Sequence, residues 1–194
     1  MPLETHLTLA LPAGRESLLR DWAAGRGVKM LCIELASGVA PRQVMLTLHG
    51  DASVDEARRR AEALMHEVQG LCDAHPRRIK VESRWTEART EATTPAYLEH
   101  HVRVSTRDLA ALERLAAEHA AHLSRNAYKI FPDGIQERFL TQRFGASDTA
   151  RMDAAFHALL SALRREGFPV TKVERECVLF DDNLALDEGW LKET

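Results

Sequence analysis

The stretch "YLEHHVRVS" at residues 97–105 repeats a pattern that first occurs at residues 2–10, "PLETHLTLA". Each stretch reads Glu, any residue, His, and then apolar, polar and apolar residues in turn. Alternation with a period of two is typical of a β-strand with one buried face. The same charged strand therefore occurs twice, and the repeat predicts a chain made of two similar halves.

Later segments of the two halves match in the same order. "QVMLTLHG" at 43–50 lies against "RFLTQRFG" at 138–145. Each of these strand-like segments is followed by a helical pattern and then by a β-like run, "RIKVES" at 78–83 and "VTKVERE" at 170–176. The matched order extends the similarity from one strand to two complete halves.

Helix-start signals fall at corresponding places. Ser53 with Glu56 forms a capping box that predicts a helix to about residue 74, and the equivalent helix of the second half is predicted to begin near Asp148. A shorter helix precedes each of these. It is expected from about residue 15 in the first half, and from Thr106 as N-cap in the second.

Each half thus reads β-α-β-β-α-β over roughly 80 residues, the order of a ferredoxin-like unit. The predicted fold class is α+β, a tandem duplication of ferredoxin-like units with antiparallel sheets and a C-terminal extension. The predicted parts are a first repeat, a linker, a second repeat and the extension, at residues 1–83, 84–96, 97–176 and 177–194.

Composition restricts the classes of function. A formal net charge of −3 argues against a general nucleic-acid binder, although the basic, aromatic stretch "LSRNAYK" at 123–129 is of a kind that contacts nucleotides or RNA. The three cysteines are widely spaced, which predicts reduced thiols. With no signal-like or membrane-spanning segment in view, a cytoplasmic protein without a membrane partner is expected. Neither a cofactor nor an oligomeric state is predicted.

Strand alternation places polar side chains on the sheet face opposite the helices. Because the first strand of a ferredoxin-like sheet lies between the third and fourth, these side chains become neighbours and form two related polar faces. The first face contains Glu4, His6, Thr8, Thr47, His49, Lys80 and Glu82, and the second contains Glu99, His101, Arg103, Thr141, Arg143, Lys172 and Glu174. Such faces are either solvated cross-strand ion pairs or a ligand site, and Met45 and Phe139 on the same faces indicate that the two sheets also pack together.

The second face is the better candidate for an anion site. Arg103 and Arg143 on adjacent strands are expected to converge on one phosphate, with Lys172 beside them. Thr141 is assigned to the same ligand site, and Glu99 and Glu174 either orient His101 or neutralise the arginines.

His6-Leu7-Thr8 resembles the H-x-T motif of the two-histidine phosphoesterases, in which each of two related lobes presents one such strand to a cyclic phosphodiester. The matching stretch of the second half is His101-Val102-Arg103, which lacks the hydroxyl. The resemblance implies His6 and His101 as catalytic base and acid.

Glu99-x-His101-x-Arg103 resembles the alternating Glu and Lys strand of the triphosphate tunnel enzymes. That resemblance implies a barrel with inward carboxylates for metal and inward cations for phosphate. In this chain His101 stands where the second Glu is expected.

No metal site is predicted, because the pairs His100-His101 and His119-x-x-His122 lack a third ligand at a fixed spacing. The favoured function is binding of a small phosphorylated or otherwise anionic ligand. Phosphoester hydrolysis is the enzymatic alternative, and a protein–protein interaction or structural module is the other.

Overall fold

The computed structural model describes residues 3–85, 94–129 and 131–191. Within these residues the chain forms an α+β fold with eight antiparallel strands and four α-helices. Most of the predicted linker, residues 86–93, lies outside the described residues. Among the described residues, no helix combines the length and the hydropathy that a membrane crossing requires.

The order of strands and helices is the same in both halves of the chain. In the first half the elements are β1 (Leu3–Ala10), α1 (Glu16–Gly25), β2 (Lys29–Leu35), β3 (Arg42–Asp51), α2 (Val54–Cys72) and β4 (His75–Arg84). In the second half they are β5 (Tyr97–Thr106), α3 (Leu109–Glu118), β6 (His122–Asn126), β7 (Gln136–Gly145), α4 (Thr149–Arg165) and β8 (Val170–Asp181). Short 3-10 turns span Pro132–Gly134 and Leu184–Asp187.

The strands form one closed barrel in the order β1-β3-β2-β6-β7-β5-β8-β4. As predicted, β1 lies between β3 and β4, and β5 lies between β7 and β8. Pairing of β2 with β6 and of β4 with β8 joins the two halves at both edges. The prediction of two separate open faces is therefore wrong, because edge pairing turns both polar faces into the lining of a single barrel.

The helices cover the outside of the barrel with two main apolar cores. Leu7 and Leu46 pack with Leu19 of α1 and Val68 of α2 in the first core. The second core is built in the same way around the side chains Val102, Leu112, Leu140 and Leu159. Burying these alternate strand residues against helices leaves the intervening residues to face the barrel interior.

Capping interactions set the helix starts. The Ser53 side chain accepts a hydrogen bond from the Glu56 amide, so the predicted cap of α2 is confirmed. The cap of α3 is Asp108, which accepts from the Ala111 amide, and not Thr106 as predicted. The Thr106 hydroxyl instead accepts from the Asp108 amide, and that contact ends β5 before the helix begins.

The C-terminal part of the chain closes one end of the barrel. Strand β8 continues past the predicted boundary at 176 and pairs with β4 up to Asp181. Trp190 then packs with Leu35 and donates its indole N–H to the Leu123 carbonyl. Gly38 permits this docking, because a Cβ at its positive φ would lie 2.9 Å from the Trp190 Cβ.

Candidate functional site

The barrel encloses a cavity of about 270 Å³. An eight-stranded barrel of this kind has room for side chains and one small ligand. Its polar lining comes from both halves: Glu4, His6, Lys29, Gln43, Arg78, Lys80, Glu82, Glu99, His101, Arg103, Ser124, Asn126, Lys129, Thr141, Arg143, Lys172, Glu174, Glu176 and Asp187. The cavity thus combines the two polar faces that the sequence pattern predicted separately.

A first cluster surrounds His6 and consists of Glu4, His6, Thr47 and Glu82. The His6 ring contacts the Glu82 carboxylate through Nε2 at 2.8 Å and the Thr47 hydroxyl through Nδ1 at 3.1 Å. Glu4 lies 3.6 Å from the same Nε2. Burial alone would lower the pKa of His6, but Glu82 raises it above its ordinary value.

A second cluster repeats this arrangement around His101 and consists of Glu99, His101, Thr141 and Glu176. His101 Nδ1 lies 2.7 Å from the Thr141 hydroxyl, and Nε2 lies 3.2 Å from Glu176 and 3.6 Å from Glu99. Burial alone would lower the pKa of His101, but the contacts with Glu176 and Glu99 raise it to about 10. His101 is therefore an imidazolium at neutral pH.

Lys80 links the two clusters. Its Nζ lies 2.8 Å from Glu82 of the first cluster and 2.7 Å from Glu99 of the second. Burial alone would raise the pKa of Glu99, but Lys80 and Arg143 lower it well below its ordinary value. The two clusters therefore share one electrostatic network.

The inner end of the cavity is neutralised by the protein itself. Arg143 donates to Glu99 at 2.9 Å and to Asp187 at 2.6 Å, and Arg78 donates to the other oxygen of Asp187 at 3.0 Å. Arg78 also pairs with Asp181, and the Tyr97 hydroxyl donates to that carboxylate. These arginines are buried and matched with carboxylates, so they act first as internal ion pairs.

The outer end carries more exposed cations. The side chains of Arg103, Lys172 and Lys129 are 24%, 46% and 44% exposed, against 7% for Arg143. Arg103 contacts the Thr171 hydroxyl at 3.0 Å and lies 3.5 Å from Glu137. Lys172 pairs with Glu174, and Lys129 also pairs with Glu137. These surface pairs are weak enough to exchange for a ligand.

The structure brings some of the predicted site residues together and separates others. His101, Thr141 and Glu99 meet in the second cluster, whereas His6 belongs to the first. Arg103 and Arg143 do not converge. Arg143 of β7 lies opposite Glu99 of β5, and Glu99 is four residues from Arg103 along that strand. That spacing is roughly 13 Å. Lys172 and Glu174 lie with Arg103 at the outer end.

Sequence reasoning missed residues that complete the second cluster and the inner end of the cavity from distant parts of the chain. Glu176, opposite Glu99 on β8, plays the part predicted for Glu174. Arg78 and Asp187 were not assigned to the site at all. The sequence pattern could have placed Arg78 at the site, because it lies two residues before Lys80 on the same strand face.

His100, the neighbour of His101, faces the opposite side of β5. It is fully buried, with its ring near Phe144 and Phe156, and it pairs with Gln142. Burial lowers its pKa to about 4. The polar Gln142 that interrupts the apolar face of β7 is therefore explained as the partner of a neutral core histidine.

No protein-family model and no curated protein matches the chain. Solved structures match over most of its length with little identity. A "putative glycine cleavage system transcriptional repressor" is 9% identical over 90% of this chain and 98% of its own, with a TM-score of 0.31. The acetolactate synthase small subunit from Thermotoga maritima is 11% identical over 93% and 98%, with a TM-score of 0.33. Because the TM-scores are so low, these likenesses support no conclusion about this chain.

Proposed function

We propose that the barrel binds a small anionic ligand, of the phosphorylated class, in its central cavity. The observation that carries the proposal is the charge at the outer end of the cavity, where the three cations Arg103, Lys129 and Lys172 have two carboxylate partners, Glu137 and Glu174, among the described residues. His101, with a pKa of about 10, adds a further positive charge at neutral pH. An excess of cations within low-dielectric walls attracts anions into a cleft.

The outer cations are the proposed contacts for the ligand. Arg103 and Lys172 lie opposite each other on β5 and β8, so their side chains project from neighbouring strands at the same level. Among the described residues, the Arg103 side chain contacts one hydroxyl and a carboxylate 3.5 Å away, which leaves most of its donors for a phosphate or carboxylate group. Arg143 donates a hydrogen bond to Glu99 and so stabilises the barrel wall at the inner end of the cavity.

Thermal stability in the presence of anions tests the proposal. Pyrophosphate, tripolyphosphate, nucleotides and cyclic nucleotides are added to the purified chain in EDTA at constant ionic strength, and the melting temperature is recorded. A ligand that binds only the folded state raises it by mass action. The rise should be lost in an Arg103→Gln, Lys172→Gln double variant and kept in Arg59→Gln, which removes an exposed charge from the outer helix α2. An equal rise in both variants would contradict the proposal.

Phosphoester hydrolysis is the second candidate function. Its support is that His6 and His101, from the equivalent strands β1 and β5, both face one cavity. A closed barrel with inward carboxylates and cations is also the architecture implied by the resemblance to triphosphate tunnel enzymes. The imidazolium of His101 would act as the general acid. Release of product from a cyclic phosphodiester or tripolyphosphate should stop in His101→Gln, whereas release that continues unchanged would reject this function.

Two further predictions stay proposals. Tandem duplication is supported by matched registers, since Glu4 faces His49 and Glu82 as Glu99 faces Arg143 and Glu176. A cytoplasmic location fits the three buried free thiols. The other alternative function, a protein–protein interaction or structural module, stays a prediction.

A further inference from the structure

Three side chains of the first cluster, all of types that can bind a metal ion, lie close together. One ligand atom from each of Glu4, His6 and Glu82 lies within 4.8 Å of the other two. His6 Nε2 is 2.8 Å from Glu82 and 3.6 Å from Glu4. Two ligands of one zinc ion, each bonded at about 2.0–2.2 Å, lie roughly 3 to 4 Å apart. The observed spacings therefore suit one ion after small side-chain adjustments.

The orientation of His6 matches that of a metal ligand. Its Nδ1 contacts the Thr47 hydroxyl at 3.1 Å, which fixes the ring so that Nε2 faces the two carboxylates. Histidines that bind metals are held in this way by a hydrogen bond to the other ring nitrogen.

The two oxygens of the Glu82 carboxylate have different partners. Its side chain is only 3% exposed, and Oε2 lies 2.8 Å from Lys80 Nζ. Lys80 approaches Oε2 and leaves Oε1 directed toward His6, so this lysine and a cation at the cluster contact different oxygens.

The cluster is reachable from solvent on one side. The Glu4 side chain is 30% exposed, and its Oε2 lies 3.6 Å from Nδ1 of His49, which is 57% exposed. His49 is thus placed to add a second imidazole from the open side. A site with a buried half and an open half allows an ion to enter and to keep a water or a ligand group.

We propose that Glu4, His6 and Glu82 bind one divalent transition-metal ion, with His49 as a fourth ligand. A set of imidazole and carboxylate groups suits Zn²⁺, Co²⁺ or Mn²⁺, whereas Mg²⁺ and Ca²⁺ require oxygen ligands. The sequence pattern placed these residues on one polar face but predicted no metal, because Glu82 and His49 come from distant strands and no ligand spacing marks the set. The site does not depend on the proposed anionic ligand.

The second cluster supplies a matched control. Arg143 occupies the position equivalent to His49, and its guanidinium lies 2.8 Å from Glu99. Fixed cations contact both oxygens of Glu99, Arg143 at Oε1 and Lys80 at Oε2, whereas in the first cluster Lys80 contacts only Oε2 of Glu82 and leaves Oε1 for an ion. We therefore expect the first cluster alone to bind metal, although both contain one histidine and two glutamates.

Titration calorimetry with Zn²⁺, and absorption spectroscopy with Co²⁺, test the site on the full chain after removal of metals with EDTA. One ion per chain should bind, with a visible Co²⁺ spectrum that reports nitrogen and oxygen ligation. Glu4→Gln should weaken binding at least tenfold, and His49→Ala less. Glu176→Gln, which removes one carboxylate from the second cluster and corresponds to Glu82→Gln in the first, should leave the affinity unaltered.

Two measurements keep the test decisive. Glu4 is partly exposed, so Glu4→Gln should fold even if Glu82→Gln does not, and circular dichroism checks both variants. Mg²⁺ should not compete with Zn²⁺ at equal concentration. Equal loss of affinity in Glu4→Gln and Glu176→Gln, or Zn²⁺ binding unaffected by Glu4→Gln, would overturn the proposal. Because the anion test contains EDTA, the two proposals fail independently.

Discussion

The first and second clusters share one geometry but differ in the residue that completes it. In each, a histidine two residues after a glutamate contacts a threonine on one neighbouring strand and a glutamate on the other. The first cluster is flanked by His49, which faces solvent, and the second by Arg143, which is buried against Asp187. The same arrangement of side chains thus has an exposed flanking residue in the first cluster and a buried, internally neutralised one in the second.

The largest expected difference between the clusters is in how much their flanking residues, His49 and Arg143, contribute to the free energy of unfolding. Arg143→Ala leaves Glu99 and Asp187 buried with one partner fewer, so we expect the free energy of unfolding to fall by about 3 to 5 kcal/mol. His49→Ala removes a largely exposed side chain and should change it by no more than about 0.5 kcal/mol. Urea unfolding of both variants at neutral pH measures the difference. Similar losses in the two variants would show that the clusters are not distinguished in this way.

The pH dependence of stability should identify the second cluster through His101. Its folded-state pKa of about 10 lies above the ordinary value of 6.5, so protonation stabilises the folded chain. That contribution is complete below the ordinary value and is lost as pH rises toward 10. The difference in unfolding free energy between wild type and His101→Gln should therefore be largest near pH 6 and shrink steadily above it. Parallel pH profiles for the two proteins would contradict the assignment.

Much of the secondary structure could be predicted because its causes are local. The capping box at Ser53 and the alternation around His6 and His101 depend on residues that are close in sequence. Local patterns also gave the neighbours of β1 and β5, since a ferredoxin-like unit fixes its own strand order. Val173 is an exception to the alternation, because this apolar strand residue is 39% exposed.

Closure of the barrel could not be predicted from such patterns. It depends on pairing between β2 and β6, where Glu34 of the first half meets Arg125 of the second. Edge strands carry no local signature of their partner, because any exposed strand edge offers the same backbone groups. For the same reason the neutralisation of Arg143 by Asp187 was missed: that carboxylate comes from the C-terminal segment, 44 residues along the chain.

The two threonine contacts give the finest comparison of the clusters. The Thr141 hydroxyl lies 2.7 Å from an imidazolium with a pKa near 10, whereas Thr47 lies 3.1 Å from His6. Hydrogen bonds to a charged group contribute about 1.5 to 3 kcal/mol and are the shorter ones, so the 2.7 Å contact should be the more stabilising of the two. Thr141→Val should therefore destabilise the chain more than Thr47→Val, by roughly 1 kcal/mol.

Serine variants separate the hydroxyl from the methyl group in this comparison. Thr141→Ser and Thr47→Ser keep the hydrogen bond and lose only a methyl, so the two should be destabilised by similar amounts. If Thr141→Val then loses more stability than Thr47→Val, the difference must come from the hydroxyl–imidazole contact, because both threonines are buried to the same degree. Unfolding is measured at neutral pH, where His101 is charged. If the valine variants are equally stable at that pH, the second cluster does not hold its histidine more tightly than the first.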